Sequence, residues 1–126
     1  MMGTSALALA ADPASRLARA RLALEGLSGG DACGERFFGD PDRVAAALSA
    51  RELPRTPWRW TDDTAMAASV VDTLARHARV DSGDLAARFA RRWRADPMRG
   101  YGAGAARLLE SVSLGADWRA SAAAMF

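Results

Sequence analysis

Apolar side chains recur every three or four positions along most of the chain, which predicts amphipathic helices. Two stripes with a spacing of four residues stand out, Met66, Val70 and Leu74, and then Leu85, Phe89 and Trp93. We expect both stripes to face the core, and we expect the first to be buried on a central helix. No segment alternates with the period of two that is typical of a half-buried strand. The pattern therefore predicts an all-α fold.

Capping residues divide this pattern into separate helices. Asp12 followed by Pro13, and Asp40 followed by Pro41, combine an N-cap with a proline at the first helical position. Glycines from position 26 to position 30 predict the end of the first helix, followed by a loop over residues 30–39. We interpret residues 12–126 as one helical domain, and residues 1–11 as a disordered leader.

Composition supports the same fold class. Half of the residues are hydrophobic, and many of these are alanine, the strongest helix former. β-branched residues, which favour strands, are few. We therefore expect a compact orthogonal helical bundle.

Charge and cysteine content exclude several classes of protein. The 17 basic residues, all arginine, nearly balance 15 acidic ones and are dispersed, so we expect no general nucleic-acid binding. No stretch approaches the roughly 20 apolar residues of a membrane span, and the leader is too short and uncharged for a signal peptide. Cys33 is the single cysteine and cannot form an intrachain disulfide. These features predict a cytoplasmic protein without a membrane partner.

The segment with the most chemical information is Thr61, Asp62 and Asp63, directly after Trp60. One interpretation is structural, because a threonine N-cap and two acids in a first turn stabilise a helix. The other is functional, because two carboxylates and a hydroxyl are the hard oxygen ligands that magnesium prefers. At a helix entry, where the backbone is not yet helical, all three oxygens can converge.

Two glycine-rich segments accompany this cluster. The first spans residues 26–35 and contains the sequence Gly-Asp-Ala-Cys-Gly-Glu; the second is Arg-Gly-Tyr-Gly-Ala-Gly over residues 99–104. Glycine allows the backbone to approach a ligand closely, so Gly100, Tyr101 and Gly102 are candidates for a loop on the substrate side. Each segment taken alone is a weak signal and favours an ordinary junction or turn between helices.

In combination and in order, the three segments resemble the ADP-ribosylglycohydrolase family. The resemblance implies a compact all-α domain with two magnesium ions at the base of a cleft. It also implies that Thr61, Asp62 and Asp63 are the first set of metal ligands, with the two aspartates in the catalytic site. The implied activity is hydrolysis of the glycosidic bond between ADP-ribose and an acceptor, so the implied partner is an ADP-ribosylated substrate.

The sequence departs from the family pattern in two ways. Many members carry a glutamate roughly where Phe38 stands here, and the nearby Glu35 is the candidate to replace it as ligand or acid–base group. Members are usually more than twice as long and carry a second Asp-x-Asp-Thr cluster, which this sequence lacks. We therefore expect an incomplete bundle that is inactive alone, with a separate C-terminal half or self-association completing it. The alternatives are a non-catalytic ADP-ribose-binding or interaction module, and an unrelated helical domain in which Thr-Asp-Asp is only a cap.

Overall fold

The computed structural model describes residues 12–125, and all regular secondary structure in that range is helical. In chain order the elements are α1 (Pro13–Gly34), a 3₁₀ turn (Glu35–Phe37), α2 (Pro41–Ala50), α3 (Asp62–His77), α4 (Ser82–Ala95), α5 (Ala103–Ser113) and α6 (Trp118–Ala123). The prediction of an all-α fold is confirmed. The predicted disordered leader, residues 1–11, lies outside the described residues.

Local capping chemistry explains where these helices begin. Asp12 and Asp40 accept hydrogen bonds from first-turn N–H groups of α1 and α2, each with proline at the start of the helix. Asp117 caps α6 through the N–H of Ala120 at 2.8 Å. Gly115, with a φ of +97°, follows the end of α5. These starts and this stop agree with the sequence prediction.

The prediction for the end of the first helix is wrong, because α1 continues through Gly26, Gly29 and Gly30 to Gly34. These glycines leave open space where a Cβ would stand, so they do not mark a close approach to another element. Each costs about 1 kcal/mol of helix propensity relative to alanine. Tertiary contacts in the last turn, described below, offset that cost, and Ala32 in that turn is buried.

The helices pack in chain order, with α3 between α1 and α4, α4 against α5, and α5 against α6. The N-terminus of α3 therefore meets the C-terminal turn of α1. Among the described helices, none is long and apolar enough to cross a lipid bilayer.

The buried face of α3 differs from the predicted one. Its buried residues are Thr64, Ala65, Ser69 and Thr73, whereas the predicted stripe of Met66, Val70 and Leu74 is only partly buried. The prediction was therefore wrong by one position, a rotation of about 100° around the helix. Small side chains on this face allow α1 and α4 each to pack closely against α3.

Two hydroxyl groups can occupy this buried face because both are hydrogen-bonded. Ser69 Oγ donates to the carbonyl of Ala65 at 3.1 Å, and Thr73 Oγ1 donates to the carbonyl of Ser69 at 2.9 Å. Each hydroxyl is satisfied within its own helix, so its burial leaves no unpaired polar atom. The sequence pattern missed them because it ranks side chains by hydrophobicity and not by size.

Enlarging a side chain on this face should destabilise the fold. We expect Ser69→Leu to lower the free energy of unfolding by about 2 kcal/mol, because a tightly packed position cannot accept the added volume. Ala75→Leu, at an exposed position of the same helix, is the matched control and should change stability by less than about 0.5 kcal/mol. Urea denaturation followed by circular dichroism measures both, and equal effects would show that this face is not the core.

Candidate active site

A cleft of about 500 Å³ lies where the N-terminus of α3, the C-terminal turn of α1 and the loop before α5 meet. We call it the acidic cleft. Its lining residues are Asp31, Gly34, Glu35, Phe38, Thr61, Asp62, Asp63 and Gly100. The structure thus brings together the Thr-Asp-Asp segment, the candidate glutamate and the first glycine of the candidate substrate loop.

Asp31, on the last turn of α1, holds the start of α3. Its Oδ2 accepts hydrogen bonds from the backbone N–H of Thr61 at 2.7 Å and of Thr64 at 3.3 Å. The hydroxyls of the same two threonines donate to Oδ1 and Oδ2, at 2.7 and 2.5 Å. One carboxylate from a distant helix therefore caps α3, and its negative charge faces the positive end of the helix dipole.

These hydrogen bonds also determine the ionisation of Asp31. Burial opposes its charge, but the donors from Thr64 and Thr61 outweigh that effect and hold the pKa of Asp31 below its ordinary value. The carboxylate is therefore ionised at neutral pH, and both of its oxygens are engaged. From the sequence, the segment from Asp31 to Glu35 was expected to line a cleft together with the Thr-Asp-Asp cluster, and both ends of that segment do line it. The capping role of Asp31 on α3 was not predicted.

Thr61 is oriented by this arrangement. Its hydroxyl donates to Asp31 and accepts, at 3.3 Å, the N–H of Asp63, as an N-cap does. Because the hydroxyl proton points to Asp31, an oxygen lone pair remains for another ligand. Asp62 and Asp63 are the first two residues of α3, and neither carboxylate has a hydrogen-bond or ion-pair partner within residues 12–125. The cleft thus contains three groups whose oxygens can still bind a ligand: the hydroxyl of Thr61 and the carboxylates of Asp62 and Asp63.

The loop before α5 is fixed to the same helix start. The N–H of Asp62 donates to the carbonyl of Arg99 at 2.8 Å, and Arg99 Nη1 donates to the carbonyl of Trp60 at 3.0 Å. The Arg99 guanidinium also stacks on Trp60, 3.7 Å from the ring centroid. The sequence indicated Arg99 only as the first residue of the glycine-rich motif, because nothing local predicts its contact with Trp60, 39 residues away.

Gly100 is the point at which this loop approaches the cluster. Its φ of +94° is a left-handed conformation that favours glycine, and a Cβ there would stand 3.4 Å from Asp62 Oδ1. Tyr101 and Gly102, the other two candidate loop residues, are outside the cleft lining, and Gly102 instead caps α5. Burial and the charge of Asp62 raise the pKa of the Tyr101 phenol, which stays neutral.

Two residues relevant to the family glutamate border the same cleft: Phe38, which stands roughly at its position, and Glu35, the candidate to replace it. Glu35 begins the 3₁₀ turn and Phe38 directly follows it, and both are exposed, Phe38 to 82%. Residues three apart project to the same side of a 3₁₀ turn, which has about three residues per turn. Glu35 therefore has access to the region that Phe38 faces.

The described residues do not form a complete metal site by themselves. Within residues 12–125, no three acidic, histidine or cysteine side chains lie close enough to share an ion. The cleft lining contains two further acids, Glu35 and Asp31, and both oxygens of Asp31 face threonine donors. The cleft can offer the hydroxyl of Thr61 and the carboxylates of Asp62 and Asp63, and a hard cation would need further oxygens from water or from other protein residues.

Two carboxylates at a helix start, beside a threonine hydroxyl held by an aspartate from another helix, are hard oxygen ligands of the kind that bind divalent cations. The ADP-ribosylglycohydrolase family model matches residues 12–125, and the chain belongs to that family. It is 37% identical over 116 residues to the ADP-ribosylhydrolase ARH3 of Danio rerio, and 35% identical over 112 residues to that of Homo sapiens. The alignments cover 86% and 79% of this chain but 31% of each relative, so the chain spans about a third of their length. No solved structure matches it.

Proposed function

We propose that this chain supplies the first half of the active site of a magnesium-dependent hydrolase. The reaction would cleave the glycosidic bond that links ADP-ribose to an acceptor. The observation that carries the proposal is the group of oxygen ligands in one cleft, namely the unpaired carboxylates of Asp62 and Asp63 and the hydroxyl of Thr61, which Asp31 orients. Family membership and the relatives named as ADP-ribosylhydrolases support it.

The donor set fits magnesium by its chemistry. Carboxylate and hydroxyl oxygens are hard ligands, and the absence of a Cβ at Gly100 leaves room beside the carboxylate of Asp62. When bound, magnesium supplies positive charge that orients ribose hydroxyls and polarises water. We assign the carboxylates of Asp62 and Asp63 and the hydroxyl of Thr61 as its protein ligands.

The remaining residues of the cleft act around that position. Among the described residues that line it, Glu35 is the only other free carboxylate, and we assign Glu35 to proton transfer or to a further ligand position. Gly100 opens the wall next to Asp62 and, with Tyr101 and Gly102, forms the loop that we assign to the substrate side. Asp31 is a positioning residue, since it holds Thr61 and touches neither substrate nor metal in this scheme.

Magnesium affinity in this chain alone should be weak. Three protein oxygens supply about half of an octahedral shell, and adjacent carboxylates repel each other when no cation is present. The positive end of the α3 dipole also disfavours a cation at this position. We expect a dissociation constant on the order of millimolar and no turnover. A separate C-terminal segment carrying a second acidic cluster, or self-association, would complete the site.

A release assay tests this proposal. The 126-residue chain, with magnesium and a protein carrying radiolabelled ADP-ribose, should release no ADP-ribose above the background of an Asp62→Ala variant. The same chain extended by the sequence that follows it in its gene should release ADP-ribose in a magnesium-dependent way. Release by the short chain that disappears in Asp62→Ala would show that the cleft is already complete, and failure of the extended chain would contradict the hydrolase assignment.

The second candidate function is a non-catalytic ADP-ribose-binding or interaction module. The half-complete donor set favours it for the isolated chain, because no described acidic cluster other than the one at α3 faces the cleft. Titration calorimetry with free ADP-ribose distinguishes the hydrolase from the binding module, since a binding module retains affinity for ADP-ribose without magnesium.

We place either form of the protein in the cytoplasm, because its single cysteine suits a reducing compartment.

A methyl group at Gly100 should interfere with the metal position specifically. Gly100→Ala and Gly115→Ala place alanine at almost the same left-handed φ, +94° and +97°, and each should cost about 1 kcal/mol of stability. Only the Cβ at position 100 meets Asp62; the one at position 115 has open space. We expect Gly100→Ala alone to weaken magnesium binding severalfold in titration calorimetry. Equal binding in both variants would show that the gap beside Asp62 has no part in metal binding.

A further inference from the structure

A second, larger depression of about 700 Å³ adjoins the acidic cleft. We call it the arginine groove. Its lining comes from three segments, residues 35–36, residues 57–61, and Asp96 with residues 98–100. It shares Glu35, Thr61 and Gly100 with the acidic cleft, so a molecule whose reacting bond lies in the cleft can extend into the groove.

The arginines around the groove differ in whether they already have a partner within the protein. Arg99 is engaged, because it stacks on Trp60, donates to the carbonyl of Trp60 and lies 2.8 Å from an oxygen of Asp96. Arg36 and Arg59 are exposed and have no ion-pair or hydrogen-bond partner in the described part of the chain. Two free guanidinium groups therefore border the groove, and guanidinium pairs well with carboxylates.

The aromatic residues are arranged as walls and not as open stacking surfaces. Trp60 already carries the guanidinium of Arg99 on one face. Trp58 is half-buried, and its Nε1 donates to the carbonyl of Pro54 at 3.0 Å, which fixes the ring. A nucleobase needs a free aromatic face for stacking, and one face of Trp60 is already covered by the guanidinium of Arg99.

The groove carries too few free cations for a nucleic-acid occupant. Asp96 is paired with Arg99, and the two free arginines fall short of the row of cations that a phosphate backbone requires. A peptide with one or two carboxylates can pair with Arg36 and Arg59 and place its apolar atoms on the tryptophan walls.

We infer that the arginine groove binds the acceptor polypeptide of the ADP-ribosylated substrate, and that it selects acceptor segments bearing acidic side chains next to the modified residue. This inference rests on the proposed function for the identity of the ligand. Arg36 and Arg59 are its specificity-determining residues. They pair with acceptor carboxylates and leave the bond to be cleaved beside Glu35 and Thr61.

Peptide binding tests this inference without magnesium and without catalysis. The probes are two fluorescein-labelled ten-residue peptides that differ only in carrying glutamates or glutamines at the same positions, read by fluorescence anisotropy at low salt. We expect the acidic peptide to bind the 126-residue chain about tenfold more tightly, because two ion pairs contribute. Arg59→Ala and Arg36→Ala should each weaken it about threefold to fivefold.

Arg55→Ala is the matched control, since Arg55 is an exposed arginine four residues before Arg59 that lines a different depression, against α2. It should leave peptide binding unchanged within about twofold. Equal affinity for both peptides, an equal loss in Arg55→Ala, or displacement of the acidic peptide by an equimolar amount of ADP-ribose would overturn the inference. A positive result would stand even if the release assay failed, so the two proposals fail separately.

Discussion

Replacing Asp31 with alanine is expected to destabilise the protein by about 3 kcal/mol, the largest loss that we expect from a single substitution here. The carboxylate accepts four hydrogen bonds from Thr61 and Thr64. Hydrogen bonds to a charged group contribute about 1.5–3 kcal/mol each, and their losses do not simply add. The start of α3 would also lose its link to α1. Urea denaturation, with the m-value checked for constancy, measures the change.

Asp40→Ala is the control for helix capping alone, because Asp40 caps α2 at an exposed position through its own neighbours. It should cost about 1 kcal/mol. If Asp31→Ala costs no more than Asp40→Ala, the contact between α1 and α3 is not the principal support of the cleft.

The same carboxylate should give the stability a specific dependence on pH. The pKa of Asp31 is lowered in the folded state, so its contribution is complete above the ordinary aspartate pKa, about 3.9, and is lost as pH falls through the lowered value. Asp31→Asn removes this contribution. The stability difference between the native chain and Asp31→Asn should therefore shrink as the pH falls from about 6 to below 3. A difference that grows on acidification would have the wrong sign.

Magnesium is expected to stabilise the protein through Asp62 and Asp63. With a dissociation constant on the order of 1 mM, 10 mM magnesium should add about 1.4 kcal/mol to the free energy of unfolding, because it binds only the folded state. Asp62→Asn and Asp63→Asn should each abolish most of this gain by removing one of two charged ligands. The measurement is urea denaturation with and without magnesium chloride, at matched ionic strength.

Asp72→Asn is the control on the same helix. Asp72 pairs with Arg92 at 2.8 Å and is not among the residues that line the acidic cleft. This variant should have an altered baseline stability but an unchanged gain from magnesium. A gain that survives in Asp62→Asn would reflect general screening of charge and would remove the metal assignment.

Features that depend on neighbouring residues in the sequence were predictable. The caps at Asp12, Asp40 and Thr61 each bond an N–H two or three residues away, so their chemistry is complete within one turn. The candidate metal ligands stay a prediction, and the sequence could propose them because three consecutive oxygen-bearing residues at a helix start line one cleft. Resemblance to a family then suggested that the cleft should include Glu35 and Gly100.

Features that depend on tertiary contacts were not predictable. The glycines in α1 end a helix by propensity, but Asp31 and Ala32 hold the following turn against α3. The buried face of α3 carries Ser69 and Thr73, whose hydroxyls are satisfied by backbone carbonyls that a hydrophobicity pattern cannot register. In both places, tertiary packing determined the structure, and the local sequence preference predicted it wrongly.

Paramagnetic broadening tests the location of the metal site most directly. Manganese, a divalent ion that shares the preference of magnesium for oxygen ligands, should be titrated in substoichiometric amounts into the isotope-labelled 126-residue chain. We predict that backbone amide signals broaden first at Thr61, Asp62 and Asp63 and at Gly100 across the cleft, and that excess magnesium restores them. Broadening that centres on acids outside the cleft, such as Asp40 and Asp72, or that magnesium does not reverse, would contradict the account.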